Sequence, residues 1–263
     1  MVSKISSVHN ERAKYIRSLA RRRVRHRVGR FVIEGTRLVE EAAGAGLMPA
    51  LVLYTEAWAS GLEGQRLLPW LKLAQEGAWP VADGILAHCS DTMAPQGILA
   101  VMPMIDSPAR QGLILILDQL RDPGNLGTIL RSSEAAEVGK IILSPGTVDL
   151  YNPKVVRAAM GAHFRLPVKS LPWNEIPKAV GGRQVWLADA LQGRAYDTVE
   201  WTLPSALIVG GEADGTSEQA DQLATGRVTI PMSRSTESLN AAMAATVILF
   251  EAARQRRQQT TRN

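Results

Sequence analysis

Apolar runs and polar interruptions alternate along nearly the whole chain. In the first part, Gly29–Gly35, Leu51–Tyr54, Trp79–Val81 and a run ending at Val101 read as short strands. Between them, Thr36–Gly44 places Leu38, Val39 and Ala42 at helical spacing. Further helices are expected over residues 6–22, capped by Ser6 or Ser7, and over residues 64–77. In the second part, strands are expected over 113–118, 140–143, 185–188, 206–209 and 228–230. Helices are expected over 126–136, 153–160 and 217–224, with a last one beginning near Ser238. The later strands are almost unbroken apolar runs, as in a parallel sheet buried on both faces. Pro103 to Gly112 has two prolines and little periodicity and reads as a connection. The pattern predicts a small α/β domain over 1–105, a linker at 106–111 and a larger α/β domain over 112–263.

Composition narrows the class. The chain is 46% hydrophobic, enough for packed cores, yet no apolar run reaches the roughly 18–20 residues a membrane span requires. The first ten residues lack the apolar stretch of a secretory signal. Cys89 is the sole cysteine, so neither an internal disulfide nor a Cys-ligated metal centre is expected, and a cytoplasmic protein is the simplest reading. The net charge of +5 is unevenly distributed. Residues 1–30 hold ten Lys and Arg against one acid, Glu11, and six of the ten are arginines within 21–30. A basic arm on a mildly acidic body is the electrostatic footprint of a nucleic-acid binder, the alternative being a solvated charged helix face.

Three loops that follow strands are too polar to be core: 118–125, 210–217 and 231–240. In open α/β sheets such loops, at the carboxyl ends of strands, hold ligands. The 210–217 loop is not a P-loop, because Thr216 stands where the lysine would be, and the chain has no Gly-x-Gly-x-x-Gly after a first strand. Ser238 can be read as a helix N-cap, Asn240 as a first-turn polar residue, and Arg131 as an ion-pair partner of Glu134. His163 reads as structural, and His88 beside Cys89 lacks the partners of a metal site.

Three phrases in order carry a family resemblance. Asn125-x-Gly127-x-x-x-Arg131, Gly211-Glu212-x-x-Gly215 and Ile230-Pro231-Met232 followed by Glu237-Ser238-Leu239-Asn240 resemble the motifs of the SpoU/TrmH branch of SPOUT RNA methyltransferases. The likeness is close over roughly 112–255. More loosely, Phe31 to Arg37 and Pro95 to Ile98 are similar to the L30e-like substrate-binding domain of that branch.

The resemblance implies a SPOUT-type parallel sheet with a deep trefoil knot behind a smaller L30e-like domain. It implies S-adenosylmethionine (AdoMet) as methyl donor, no metal, and ribose 2′-O-methylation of RNA. Ribosomal RNA is favoured, transfer RNA is the alternative substrate, and an RNA binder without catalysis is the alternative class. Catalytic positions would be Asn125, Arg131, Glu212, Ser238 and Asn240, with Arg131 either proton acceptor or phosphate clamp. Ala188, Asp189, Ala190, Gly211, Ile230, Met232 and Leu239 would hold AdoMet. RNA contacts would come from Arg21, Arg22, Arg23, Arg25, Arg37, Lys154 and Arg157. Met160 and Phe164 would be core, the tail after Arg254 disordered, and a homodimer would form through the last helix near the knot, exposing Ala242, Met243, Thr246, Val247 and Phe250.

Overall fold

A computed structural model describes residues 4–211, 215–233 and 238–262. The chain folds as two compact units, one formed by residues up to Ile105 together with Asp149–Phe164, the other by Asp106–Val148 and Arg165 onward. Asp149–Phe164, which the sequence pattern assigned to the larger domain, thus packs with the first unit.

In chain order the first stretch contains α1 (Glu11–Ser18), α2 (Arg22–Val28), β1 (Arg30–Glu34), α3 (Thr36–Gly44) and β2 (Leu51–Thr55). It continues with α4 (Glu56–Ser60), α5 (Leu62–Leu71), β3 (Ala78–Val81), α6 (Asp83–Cys89) and β4 (Ile98–Pro103). Then follow β5 (Ile114–Asp118), α7 (Pro123–Ala135), β6 (Lys140–Leu143), α8 (Pro153–Ala159), β7 (Val168–Ser170) and α9 (Ile176–Val180). The last elements are β8 (Gln184–Ala188), β9 (Arg194–Ala195), β10 (Ser205–Gly210), α10 (Glu218–Leu223), β11 (Gly226–Thr229) and α11 (Ala241–Arg262).

The sheet of the first unit runs β1-β4-β2-β3, antiparallel except for the β2–β3 pair. The expected helix over 6–22 is shorter, α1 alone, and α2 follows it almost wholly beyond the predicted span. Asn10, not Ser6 or Ser7, caps α1, its Oδ1 accepting the Arg12 N–H at 2.9 Å. Gly29, at φ 64, ends α2 in the left-handed conformation that spares glycine the Cβ clash. The expected helix over 64–77 is α5, which starts at Leu62 and stops at Leu71; the short α4 precedes it, and the two meet at Gly61. There a Cβ on Gly64 would stand 2.1 Å from the Trp58 carbonyl. Ile16, Leu19, Leu51, Leu53 and Leu86 are buried in the core of this unit, and each such side chain contributes roughly 1.5–3 kcal/mol on leaving water.

The second unit carries a seven-stranded sheet in the order β7-β6-β5-β10-β8-β11-β9, with every pair parallel. β5 and β10 are buried through their apolar residues, as the unbroken runs predict. Three described elements of this unit fall outside the predicted set, β7, β9 and α9, each too short to show a period; in the first unit α2, α4 and α6 do so as well. The tail expected to be disordered is helical, since α11 continues to Arg262. Gln255 fixes it by accepting the Trp201 N–H at 2.9 Å and donating to the Val199 carbonyl at 3.0 Å. Among the described residues no helix is long and apolar enough to cross a membrane.

Candidate active site

The carboxyl ends of β8, β10 and β11 open onto one cleft of about 360 Å³ within the second unit. That lies in the usual size range of small-molecule sites, roughly 300–1,000 Å³. Ala188, Asp189, Ala190, Gly211, Ile230, Met232 and Leu239 all line it, together with Ser238 and the apolar Leu187 and Val209. Residues scattered over about fifty positions of sequence thus converge, because parallel strands deliver their following loops to the same edge of the sheet.

Each wall has its own local cause. After β8 the chain turns at Asp189, whose Oδ1 accepts the N–H groups of Leu191 (2.8 Å) and Gln192 (3.0 Å). Arg227 on β11 locks the turn, donating to Asp189 Oδ2 at 2.6 Å and to Asp221 Oδ1 at 2.7 Å. Burial pushes the Asp189 carboxyl up, but the two amides and the guanidinium outweigh it and hold its pKa below the ordinary carboxylate value. After β10, a Cβ on Gly211 would lie 2.6 Å from the Gln119 carbonyl, so only glycine lets these loops approach so closely. Gln119 itself has φ 52, the left-handed region that a non-glycine residue seldom occupies.

The sequence pattern did not single out Asp118, a fully buried carboxylate at the end of β5. Its Oδ1 accepts from Ser144 Oγ and its Oδ2 from the Ser217 N–H, both at 2.6 Å, while its carbonyl takes the Gly211 N–H at 2.9 Å. One residue therefore fixes the loops after β5, β6 and β10. The available signal was a charged residue closing an otherwise unbroken apolar strand.

The first and third motifs meet through asparagines. Asp122 caps α7 by accepting the Asn125 N–H at 2.7 Å, with Pro123 in the first turn. Asn240 Nδ2 donates to Asn125 Oδ1 at 3.1 Å, and Asn240 Oδ1 caps α11 by accepting from Ala242 and Met243. Ser132 and Thr246 share a second hydrogen bond between the same helices at 2.7 Å. Arg131 is exposed on α7 and has no ion pair among the described residues; Glu134, its expected partner, is taken by Arg165. Ser238 is exposed at the lip of the cleft. Glu212 lies outside the described residues.

In the first unit, Arg21, Arg22, Arg23, Arg37 and Lys154 are exposed, and Arg157 is half-buried with its Nη1 3.2 Å from Asp91. Arg25 corrects the expected set of RNA contacts. Its side chain is buried, donating to the Leu19 and Ala20 carbonyls (2.9 and 2.7 Å) and to Asp149 Oδ2 (2.5 Å), so it holds the fold and presents no charge outward. His26 Nε2 lies 2.8 Å from Asp149 Oδ1. His163 is buried against Phe31 and Phe164, and Phe164 is core as expected. Met160 is only half-buried and ends α8 in the left-handed conformation, φ 48. The described residues contain no group of three or more His, Cys, Asp or Glu able to hold a metal ion.

A parallel sheet with a glycine-walled cleft at its carboxyl edge, in a chain that also carries a separate α/β unit with exposed arginines, defines a two-unit α/β methyltransferase. The chain belongs to the SpoU rRNA methylase family, whose pattern matches residues 112–250, and residues 10–100 match the MRM3-like substrate binding domain. It is 34% identical over 298 residues to the mitochondrial rRNA methyltransferase 3 of Homo sapiens, covering 89% of this chain and 69% of that protein. It is 29% identical to the 23S rRNA (guanosine(2553)-2'-O)-methyltransferase RlmP of Bacillus subtilis, covering 95% and 98% of the two chains. The crystal structure of the SpoU methyltransferase AviRb from Streptomyces viridochromogenes with the cofactor AdoMet superposes with a TM-score of 0.82. The identity is 30%, over 94% of this chain and 98% of that one.

Proposed function

We propose that this protein methylates a ribose 2′-hydroxyl of ribosomal RNA, using AdoMet bound in the cleft at the ends of β8, β10 and β11. The observation that carries this reading is the convergence of Ala188, Asp189, Gly211, Ile230, Met232 and Leu239 on that cleft, in a chain similar to rRNA 2′-O-methyltransferases. When bound, AdoMet supplies an electrophilic sulfonium methyl that passes to the ribose oxygen, so the protein's task is alignment and removal of the hydroxyl proton. Backbone groups around Gly211 and the apolar side chains of Leu187, Val209 and Ile230 suit the adenosine portion. Asn125, Ser238 and Asn240 supply polar groups where the first and third loops meet, and Glu212 completes the catalytic set. Guanidinium groups keep their proton in proteins. We therefore assign Arg131, exposed and without an ion pair among the described residues, the clamping of a substrate phosphate.

The first unit, L30e-like in this reading, serves as the RNA platform through Arg21, Arg22, Arg23, Arg37 and Lys154. The second is threaded as a deep trefoil knot. Met243 and Phe250 leave 58% and 41% of their surface exposed on α11, with Val247 half-exposed on the same face. Ala242, expected on that face, is buried inside the protomer. We assign the exposed stripe to a homodimer contact. With its single cysteine the protein suits a reducing compartment, and we place it in the cytoplasm.

The test is transfer of labelled methyl from AdoMet to unmodified rRNA and, separately, to bulk tRNA, with nucleoside analysis. A 2′-O-methylnucleoside in rRNA is expected. Label in tRNA alone would overturn the substrate; AdoMet binding without transfer to either would point to a pre-ribosomal particle as substrate, and no AdoMet binding at all would favour a non-catalytic RNA binder.

A further inference from the structure

A second cavity of about 360 Å³ lies within the first unit, where α1, α6, β1, β4 and α8 meet. Neither the methyl-transfer chemistry nor the exposed arginines of α2 uses it. Its lining is mixed: Ile16, Leu19, Val32, Leu99 and Val156 form an apolar part, beside the buried Arg25 and Tyr151. Besides Arg25, which is paired with Asp149, two further cations line it, Arg17 from α1 and Arg157 from α8. Neither is committed to a buried pair: Arg17 Nη1 lies 3.0 Å from the ring nitrogens of His88, and Arg157 Nη1 is 3.2 Å from Asp91, whose side chain is 57% exposed. An exposed pair of that kind is weak and is readily exchanged for another anion.

A half-buried acid, Glu34 at the end of β1, also lines the cavity. Its Oε1 accepts from Ser90 Oγ and Thr92 Oγ1, both at 2.6 Å, which anchors that oxygen. No hydrogen bond from the described residues reaches its Oε2. A held acceptor beside apolar side chains, with two exchangeable cations in the same lining, matches an aromatic ring that bears N–H donors and carries a phosphate. Single-stranded RNA offers that combination, because unstacked bases are read on their pairing edges against apolar or aromatic walls. A carboxylate selects edges carrying an amino group, as in guanine and cytosine, over uracil.

We propose that this pocket receives one unstacked nucleotide of the RNA substrate, its amino-bearing base held against Glu34 and its phosphates by Arg17 and Arg157. The inference rests on the RNA reading above and deepens it. The first unit then does more than attract phosphates: it reads one base at a fixed place and sets the register of the RNA. The segment Asp149–Phe164, which interrupts the second unit in sequence, supplies Val156 and Arg157 to this pocket.

Cys89 lines the same cavity and is the only cysteine of the chain, so its alkylation reports occupancy of the pocket in the full-length protein. Burial pushes its thiol up to about 11, and the reaction is best followed at about pH 9, where a measurable fraction is thiolate. GMP and CMP are expected to slow alkylation several-fold, and UMP or inorganic phosphate much less. In a second arm, Ala87→Trp places a bulky side chain at the exposed edge of the cavity. It is expected to raise the KM for RNA about tenfold while AdoMet affinity stays at the wild-type value. Should Ala87→Trp lose AdoMet binding through misfolding, Ala20→Trp on the α1 side gives the same reading.

Equal alkylation rates with GMP, CMP, UMP and buffer would overturn the proposal, as would an unchanged KM in both Trp variants. Protection by inorganic phosphate equal to that by GMP would also overturn it, leaving an anion site that reads no base. Failure of the wild-type protein to methylate any RNA is a different result, which removes the RNA reading itself.

Discussion

Asn240 Nδ2 donates to Asn125 Oδ1 at 3.1 Å across 115 positions of sequence. The same Asn240 side chain caps α11 with its Oδ1. One amide therefore sets the start of the last helix and fixes it to the first turn of α7, the helix that carries Arg131. The first and third motifs are mechanically one unit, joined again by the Ser132–Thr246 bond two turns further along.

Asn240→Ser retains a capping oxygen and loses the donated bond to Asn125. Its thermal stability should stay within a few tenths of a kcal/mol of wild type, while Asn240→Ala, which loses both, should cost about 1 kcal/mol. Turnover should fall in both variants. Full turnover in the Ser variant would reduce Asn240 to a helix cap.

Arg131→Ala removes a side chain without an ion pair among the described residues, so unfolding free energy should change by less than about 0.5 kcal/mol. If the guanidinium positions the substrate phosphate, kcat/KM should drop by about a hundredfold or more. AdoMet affinity, measured by titration calorimetry, should be retained. Near-normal turnover would remove Arg131 from the reaction.

Asp189→Ala frees the Leu191 and Gln192 N–H groups and releases Arg227, loosening one wall of the cleft. We expect AdoMet Kd to rise about tenfold with kcat at saturating AdoMet little changed. A fall in kcat at unaltered Kd would place Asp189 in the chemistry instead of the wall.

Asp149 predicts an acid transition. Burial pushes its carboxyl up, but hydrogen bonds from Arg25 and then His26 outweigh burial and hold its pKa below the ordinary carboxylate value. The folded state then binds this proton more weakly than the unfolded state. Its contribution to stability is complete above the unfolded carboxylate pKa and is lost as pH falls through the lower folded value. Thermal melts from neutral pH downward should show this loss in wild type. Asp149→Asn, which leaves Arg25 buried without its counter-charge, should cost roughly 3–5 kcal/mol at neutral pH and flatten the acid limb. A wild-type-like acid limb in the variant would assign the transition to other carboxylates.

Two arginines three positions apart should behave oppositely. Arg25→Ala should destabilise the first unit by roughly 3–5 kcal/mol, because it strands the buried Asp149 carboxylate. Arg22→Ala should leave stability unchanged and reduce the slope of log affinity for RNA against log salt by about one. Binding isotherms at several salt concentrations, paired with melts, separate the two.

The sequence alone determined the strands other than β7 and β9, because an unbroken apolar run can only be a buried strand or helix, and runs such as 113–118 are too short for a helix. It also determined the glycines at 210 and 211 and the three polar loops, since composition at strand ends is local. It could not determine that residues 149–164 leave the larger unit for the smaller one. Nor could it show that Arg25, one of six arginines in ten residues, turns inward to meet Asp149 more than a hundred positions away. Charge density in sequence carries no sign of which side of a helix faces the core. The joining of Asn125 to Asn240, and the gathering of three loops around Asp118, were likewise decided by the parallel order of the strands, which brings distant strand ends to one edge. Local pattern specified the elements and the residue types of the site; only tertiary packing decided which of them touch.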